Sequence, residues 1–279
     1  MREINQQGGV NGNPLELLVR DNQVDPDLSA QLAEELITQE GVVAIVGPGF
    51  SSNAVRVAPV AQQHRVPMIT TTATNPTVTS AGDFVFMAAF TDLFQGAVMV
   101  EFSRQELGAQ TAAILTQAED VYSEGLSLIF DEEFTARGGE VLARESYAAG
   151  DTDFTPQLEV IADRIPDVVF MPGFTPEVPL AIKQARTIPQ RNSSGITATF
   201  IGGDGWDNAE LVAIGGGAVE ETFFTGLFAP FPQEGHLEAT QNDQTRQFVN
   251  VYISMFGIAP DSGSGMGFDA LTRQFDIRM

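Results

Sequence analysis

Short runs of β-branched and other apolar residues alternate along this chain with longer stretches in which apolar residues recur every three or four positions. The first pattern is that of strands, the second of helices with one buried face. The runs predict strands over Leu15 to Val19, Val42 to Val46, Val66 to Thr70, Phe84 to Met87, Thr111 to Leu115, Glu140 to Tyr147, Val168 to Met171, Thr199 to Ile201 and Thr222 to Phe228. Helices are expected between them. Asp25-Pro26-Asp27 opens one over Leu28 to Gln39, with Gly41 just past its end, and Ser123 to Arg137 stops at Gly138-Gly139 in the same way. Strands alternating with helices predict an α/β protein whose parallel sheets are covered by helices.

The rhythm breaks near Phe90-Thr91-Asp92 and near Phe228 to Pro232, which predicts two lobes: residues 1–91 with 229–279, and residues 92–228. Between such lobes a cleft is expected at the carboxyl ends of the strands, where open α/β sheets bind ligands. A length of 279 residues suits two medium cores, and an apolar fraction of 43% with mean hydropathy near zero is that of a water-soluble chain. No apolar run approaches the ~20 residues that cross a bilayer. The opening Met1-Arg2-Glu3-Ile4-Asn5-Gln6-Gln7 has neither a basic start nor an apolar core, so the chain as it stands is read as carrying no export signal or anchor.

Charge narrows the partners. Acidic residues number 37 against 14 basic ones, a formal net charge of −23, and Lys183 is the single lysine. Nucleic acid is excluded as an expected partner, since duplex binding needs a basic footprint. An acidic, lysine-poor surface fits either high-salt growth, where screening relieves self-repulsion, or ordinary solubility. The chain has no cysteine, which removes disulfides, thiolate nucleophiles and sulfur-ligated metals.

Candidate chemistry sits in the loops that leave the strands. Gly47-Pro48-Gly49-Phe50-Ser51-Ser52-Asn53 joins a strand to an amphipathic stretch, so it delivers hydroxyls and backbone N–H groups to a helix N-terminus, an arrangement that receives an anion. One strand later, Thr70-Thr71-Thr72-Ala73-Thr74-Asn75-Pro76 repeats the device, and the pair suggests a carboxylate cradle. From the residues alone, Ser51 and Ser52 serve equally as helix caps, the threonines as a strand end with a turn, and Asp204 in Gly202-Gly203-Asp204-Gly205 as a turn residue. Phe174 and Trp206 are equally readable as core.

Catalysis finds little support. Ser52 stands where a dinucleotide fingerprint needs its third glycine, no acid follows at ribose distance, and the phosphate-loop, nucleophile-elbow and zinc-protease motifs are absent. His64 and His236 are read as surface residues, and neither Asp25/Asp27 nor Glu132/Glu133 has metal-site spacing. The expectation is no catalytic residue, no metal and no cofactor.

Taken in order, Gly8-Gly9-Val10-Asn11-Gly12, VRDNQVDP from Val19, IVGPGFSS from Ile45, PMITTTATNP from Pro67, Tyr122-Ser123-Glu124-Gly125 and GGDGW from Gly202 resemble the type I periplasmic binding proteins, in particular the leucine/isoleucine/valine-binding branch of ABC importers. The resemblance covers nearly the whole chain. It implies two Rossmann-like lobes that close by hinge bending over a free amino acid, and a complex that docks on a membrane permease. By this resemblance Ser51 and Thr74 supply carboxylate-binding hydroxyls, Thr72 and Thr74 backbone donors, Asp204 the ammonium-binding acid, and Tyr122 the aromatic cover. Phe174 falls where better-known members carry a tyrosine, and Phe50 and Trp206 become possible pocket walls. The resemblance also implies a chain truncated at both ends, short of the first strand and of the far helix and strands, and a location in the periplasm or on the outer face of the membrane. The alternative reading keeps the fold and makes the protein a sensor of amides, short carboxylates or aromatic acids.

Overall fold

The computed structural model describes residues 2–229 and 243–274. They form two compact units: Met1–Ala89 with Gly263–Met279, and Phe90–Ser262. The second passage of the chain thus falls at Ser262, whereas the sequence placed everything from 229 onward with the first lobe. Two contacts account for this. Phe228 meets Phe248 edge-on at 6.0 Å, and the Ser262 hydroxyl bonds the Asp207 carboxylate. Most of the crossing expected at Phe228 to Pro232, together with His236, lies outside the described residues.

In the first unit, α1 (Arg2–Gln6), α2 (Pro26–Thr38) and α3 (Ser51–His64) accompany β1 (Ile45–Val46), β2 (Met68–Thr70) and β3 (Val85–Met87). The strands pair in parallel in the order β1-β2-β3, with Ile45 opposite Met68 and Met68 opposite Val85. Asp25 caps α2 by accepting from the Leu28 N–H at 2.8 Å, and Pro26 occupies the first turn, where its missing N–H has no consequence. Ala54, Val57, Ala58 and Ala61 recur on one face of α3 and bury it against Ala33, Met68 and Val85. The strand expected over Leu15 to Val19 is not formed. Its apolar alternation is present, but a strand exists only by pairing, and among the described residues no neighbour offers it a ladder; Leu17 and Val19 remain exposed.

The second unit contains α4 (Asp92–Gln105), β4 (Thr111–Gln117), α5 (Val121–Ala136), β5 (Glu140–Tyr147), α6 (Thr155–Arg164), β6 (Val168–Phe170), α7 (Glu177–Ala185), β7 (Thr199–Gly202), α8 (Ala209–Gly215), β8 (Phe223–Phe224) and α9 (Asp243–Phe256); α10 (Ser262–Gln274) begins at its last residue. All strand pairs are parallel, in the order β5-β4-β6-β7-β8. Strand alternation divides the side chains between two cores. Ala113, Leu115, Val169, Met171 and Phe200 join Leu158, Ile161 and Ile182 of α6 and α7. Ala112, Ile114, Val168, Phe170 and Ile201 join Met99, Leu126 and Phe130 of α4 and α5. Because β5 lies on one side of β4 and β6 on the other, the chain reverses direction across the sheet there, which makes the carboxyl ends of β4 and β6 a switch point.

Asp167 ties the opposite edge. Its Oδ2 accepts from the N–H groups of Gln110 and Thr111 and from the Thr111 hydroxyl, each at 2.8 Å, joining the starts of β4 and β6. Partial burial raises this carboxyl, but the three donors outweigh burial and hold it below the usual carboxylate value. A depressed folded value means stability that is present above the unfolded value and lost as pH falls through the folded one. Asp167→Ala is expected to cost no more than about 1 kcal/mol at neutral pH, because water screens this exposed carboxyl and can replace part of what its donors lose. Denaturant melts of both proteins should converge in acid; a gap that is unchanged at low pH would show that the loss is one of packing.

Candidate functional site

Each unit places its candidate residues in the loops that follow its strands. In the first, β1 leads through Gly47-Pro48-Gly49 into α3, whose extended N-cap, Phe50, makes no side-chain cap bond. Ser51 is therefore the first helical residue, not the cap. Its buried hydroxyl accepts from the backbone N–H groups of Thr74 at 3.4 Å and Asn75 at 3.3 Å, long bonds that staple the hydroxyl loop after β2 to the start of α3. Thr72 donates its hydroxyl to the Gly49 carbonyl at 2.9 Å, and Gly49 has no room for a side chain, since a Cβ would lie 2.7 Å from the Thr72 oxygen. Ser51, Thr72 and Thr74 thus share one corner of this unit at a helix N-terminus, where the dipole favours negative charge. Phe50 beside them is 39% exposed.

In the second unit, Tyr122 follows β4, Phe174 follows β6 and Asp204 follows β7, so all three stand at the switch-point end of the sheet. The Tyr122 and Phe174 rings lie 5.2 Å apart. The Gly205 N–H donates to the Tyr122 hydroxyl at 3.2 Å. Burial, followed by the negative charge of Asp204, pushes the Tyr122 phenol well above its ordinary value, so it stays a neutral hydroxyl. Asp204 is partly exposed, yet burial of its carboxyl pushes it up to about 7 from 3.8. A hydrogen bond from Gln95 opposes that rise, the nearby Asp92 charge adds to it, and a hydrogen bond from Tyr122 again opposes it. Among the described residues no arginine, lysine or histidine forms an ion pair with Asp204.

The glycines around Asp204 are there for space. A Cβ on Gly203 would come within 2.2 Å of the Tyr122 hydroxyl, and one on Gly205 within 2.5 Å of the Gly173 carbonyl. Gly202 presses on the Trp206 ring just as closely, at 2.2 Å. None of the three adopts the left-handed backbone that only glycine tolerates easily.

Trp206 corrects the sequence reading. It is fully buried in the core of α6, α7 and β6, its indole N–H donates to the Met171 carbonyl at 2.9 Å, and no face is left to line a pocket. The tight Gly202 loop turns the ring inward. Sequence reasoning missed Gln95, a buried glutamine in the first turn of α4 that bonds Asp204. Its nearest signal was Asp92 three positions before it, and nothing local ties either to a loop more than a hundred residues away. Among the described residues no group of three or more histidines and carboxylates is placed to hold a metal, and no helix is long and apolar enough to cross a membrane. His64 pairs with Glu34 on the surface.

The periplasmic binding protein family model matches residues 1–272. The leucine-, isoleucine-, valine-, threonine- and alanine-binding protein of Pseudomonas aeruginosa is 30% identical over 234 residues, 84% of this chain and 59% of that protein. The Leu/Ile/Val-binding protein BraC3 of Rhizobium johnstonii is likewise 30% identical over 80% of the chain. The chain spans about 59% of the length of these curated relatives. Among solved structures, a leucine binding protein of Thermotoga maritima matches with a TM-score of 0.89 and 36% identity, covering 98% of this chain and 74% of that one. A branched-chain amino acid transporter substrate binding protein of Streptococcus pneumoniae, solved with isoleucine, matches with a TM-score of 0.83 and 26% identity over 97% of this chain and 73% of that one. Parallel α/β units, hydroxyl loops at a helix N-terminus and an acid at a switch point are thereby joined to a match along nearly the whole sequence: the chain belongs to the type I periplasmic binding proteins, in the leucine/isoleucine/valine-binding branch.

Proposed function

We propose that this protein is an extracytoplasmic solute-binding protein of an ABC importer, that it takes up a branched-chain or other apolar amino acid, and that it hands the ligand to a membrane permease without chemical change. The observation that carries this is Asp204: a carboxyl at the switch point, raised by burial and facing a second acid, with no cation of the described chain paired to it. A ligand ammonium group supplies the missing charge, and a charge-assisted bond in an enclosed site is among the stronger ones available. The carboxylate end of the ligand is assigned to Ser51, Thr72 and Thr74, and the apolar side chain to Tyr122, Phe174 and Phe50. The relative from Pseudomonas aeruginosa is named for aliphatic amino acids and threonine, and the Streptococcus pneumoniae structure holds isoleucine, which supports the same ligand class.

Thermal melts with leucine, isoleucine, valine, threonine and alanine test this reading. A true ligand at 100 times its dissociation constant stabilises by roughly 2.7 kcal/mol, several degrees for a protein of this size. Benzoate, 4-methylpentanoate and leucinamide serve as comparators. A shift with benzoate or leucinamide and none with any amino acid would overturn the assigned ligand class in favour of aromatic acids or amides.

A further inference from the structure

Gln95 is 1% exposed, and the four hydrogen bonds its amide can make are all in use. Its Nε2 donates to Asp92 Oδ1 at 2.7 Å and to Asp204 Oδ1 at 2.9 Å. Its Oε1 accepts from the Asp204 backbone N–H at 3.3 Å and from the Thr225 hydroxyl at 2.7 Å. The backbone N–H can only donate, so it fixes which end of the amide is oxygen; the two amide hydrogens must then face the two carboxylates. Asp92 itself opens the first turn of α4, where negative charge is favoured. The titratable groups about Asp204 are thus Asp92 from α4 and Tyr122 from α5, while Gln95 and Thr225 are neutral.

We propose that Gln95 is a positioning residue for amino-acid recognition: its neutral amide holds the Asp204 carboxylate in one orientation beside a second carboxylate and leaves its charge for the ligand. A lysine or arginine at this position would pair with both acids and compete with a ligand ammonium group. An apolar residue would leave two buried carboxylates without a common donor, and Asp204 would keep its proton. The amide avoids both outcomes, because it donates to each acid while neutralising neither. This role rests on the reading of the protein as an amino-acid binder.

Two variants and two readouts test it. Gln95→Met keeps the length and removes the amide; Thr225→Val keeps Gln95 and removes one donor that orients it. Carboxyl-carbon NMR of the ligand-free proteins reports the ionisation midpoint of Asp204 directly. Gln95→Met is expected to raise it by about one pH unit or more, and Thr225→Val to raise it less. Calorimetric titration with leucine at neutral pH should show about tenfold or greater weakening in Gln95→Met, shrinking as pH rises, with 4-methylpentanoate changed by less than about threefold. An unmoved Asp204 midpoint in both variants overturns the proposal, and so does equal weakening of leucine and its deaminated analogue. Should Gln95→Met fail to fold, the Thr225→Val midpoint and affinities decide. A wild-type protein that binds none of leucine, isoleucine, valine, threonine and alanine overturns the proposed function and the recognition role with it, and the ligand-free midpoints separate that failure from a fault in the Gln95 geometry.

Discussion

Asp204→Asn is expected to weaken leucine binding by about 2–5 kcal/mol, roughly thirtyfold to several thousandfold, while 4-methylpentanoate loses little. The substitution keeps the size of the side chain and removes the charge proposed to meet the ammonium group. The wild-type carboxyl rests near pH 7 without ligand, so an ammonium-bearing ligand must first displace its proton. Affinity should accordingly rise about tenfold per pH unit on the acid side of 7 and level off above it, and the asparagine variant should show no such slope. Titration calorimetry from about pH 5.5 to about pH 8.5, in two buffers of different ionisation enthalpy, measures both the slope and the proton released. A flat wild-type profile, or equal losses for leucine and 4-methylpentanoate, would remove Asp204 from ammonium recognition. Stability of the ligand-free protein runs the other way. A carboxyl raised above its unfolded value stabilises most below that unfolded value, so its contribution declines as pH climbs from about 4 to about 7.

The second large effect is structural. Phe170 is fully buried in β6 and stacks on Phe130 of α5 with centroids 4.1 Å apart and planes 15° apart, while Phe134 also stacks on Phe130 at 5.3 Å. Phe170→Ala should cost about 3–5 kcal/mol, because it removes a large side chain from an interior that cannot collapse around the gap. Phe170→Leu should cost less than half of that. Denaturant unfolding followed by near-ultraviolet dichroism would show it. A loss below about 1 kcal/mol for the alanine variant would mean that the β6–α5 face is not a close-packed core. The expected consequence reaches the site, since β6 ends where Met171 and Gly173 begin the loop that carries Phe174.

What the sequence disclosed follows the range over which each signal acts. Helix ends were legible because caps are local: Asp25 and the residues after it mark α2 without knowledge of anything distant. Strands with apolar runs were legible as runs, and Glu140 to Tyr147 forms β5 at the expected residues. Leu15 to Val19 looked the same and formed nothing, because strand pairing is decided by a partner and not by the run. The placing of Tyr122, Phe174 and Asp204 at one end of one sheet could be anticipated from strand–loop order, and the family resemblance supplied their expected roles. Trp206 could not be placed, since an aromatic after a glycine loop has the same local signature whether it turns inward or outward. Gln95 was invisible for a similar reason: its partners Asp204 and Thr225 stand 109 and 130 positions away.

The glycine run about Asp204 sets limits on how this molecule can change its ligand. Phe50 in the first unit and Phe174 in the second each retain accessible surface, so under the proposed assignment single substitutions at either position would alter the side-chain end of the ligand site and leave its own unit's fold alone. The acid end has no such freedom. A side chain at Gly203 strikes the buried Tyr122 and Leu126 side chains, and one at Gly205 strikes the Gly173 carbonyl, so relief requires displacing those side chains or the neighbouring loop. Divergence within a lineage should therefore run along one end of the ligand, from one aliphatic side chain to another, and a switch to ligands lacking an amino group would demand several simultaneous replacements. In this loop glycine acts as a thin shim and not as a hinge, and the proposed ammonium recognition at Asp204 would be protected by the lack of room for a side chain at its neighbours Gly203 and Gly205.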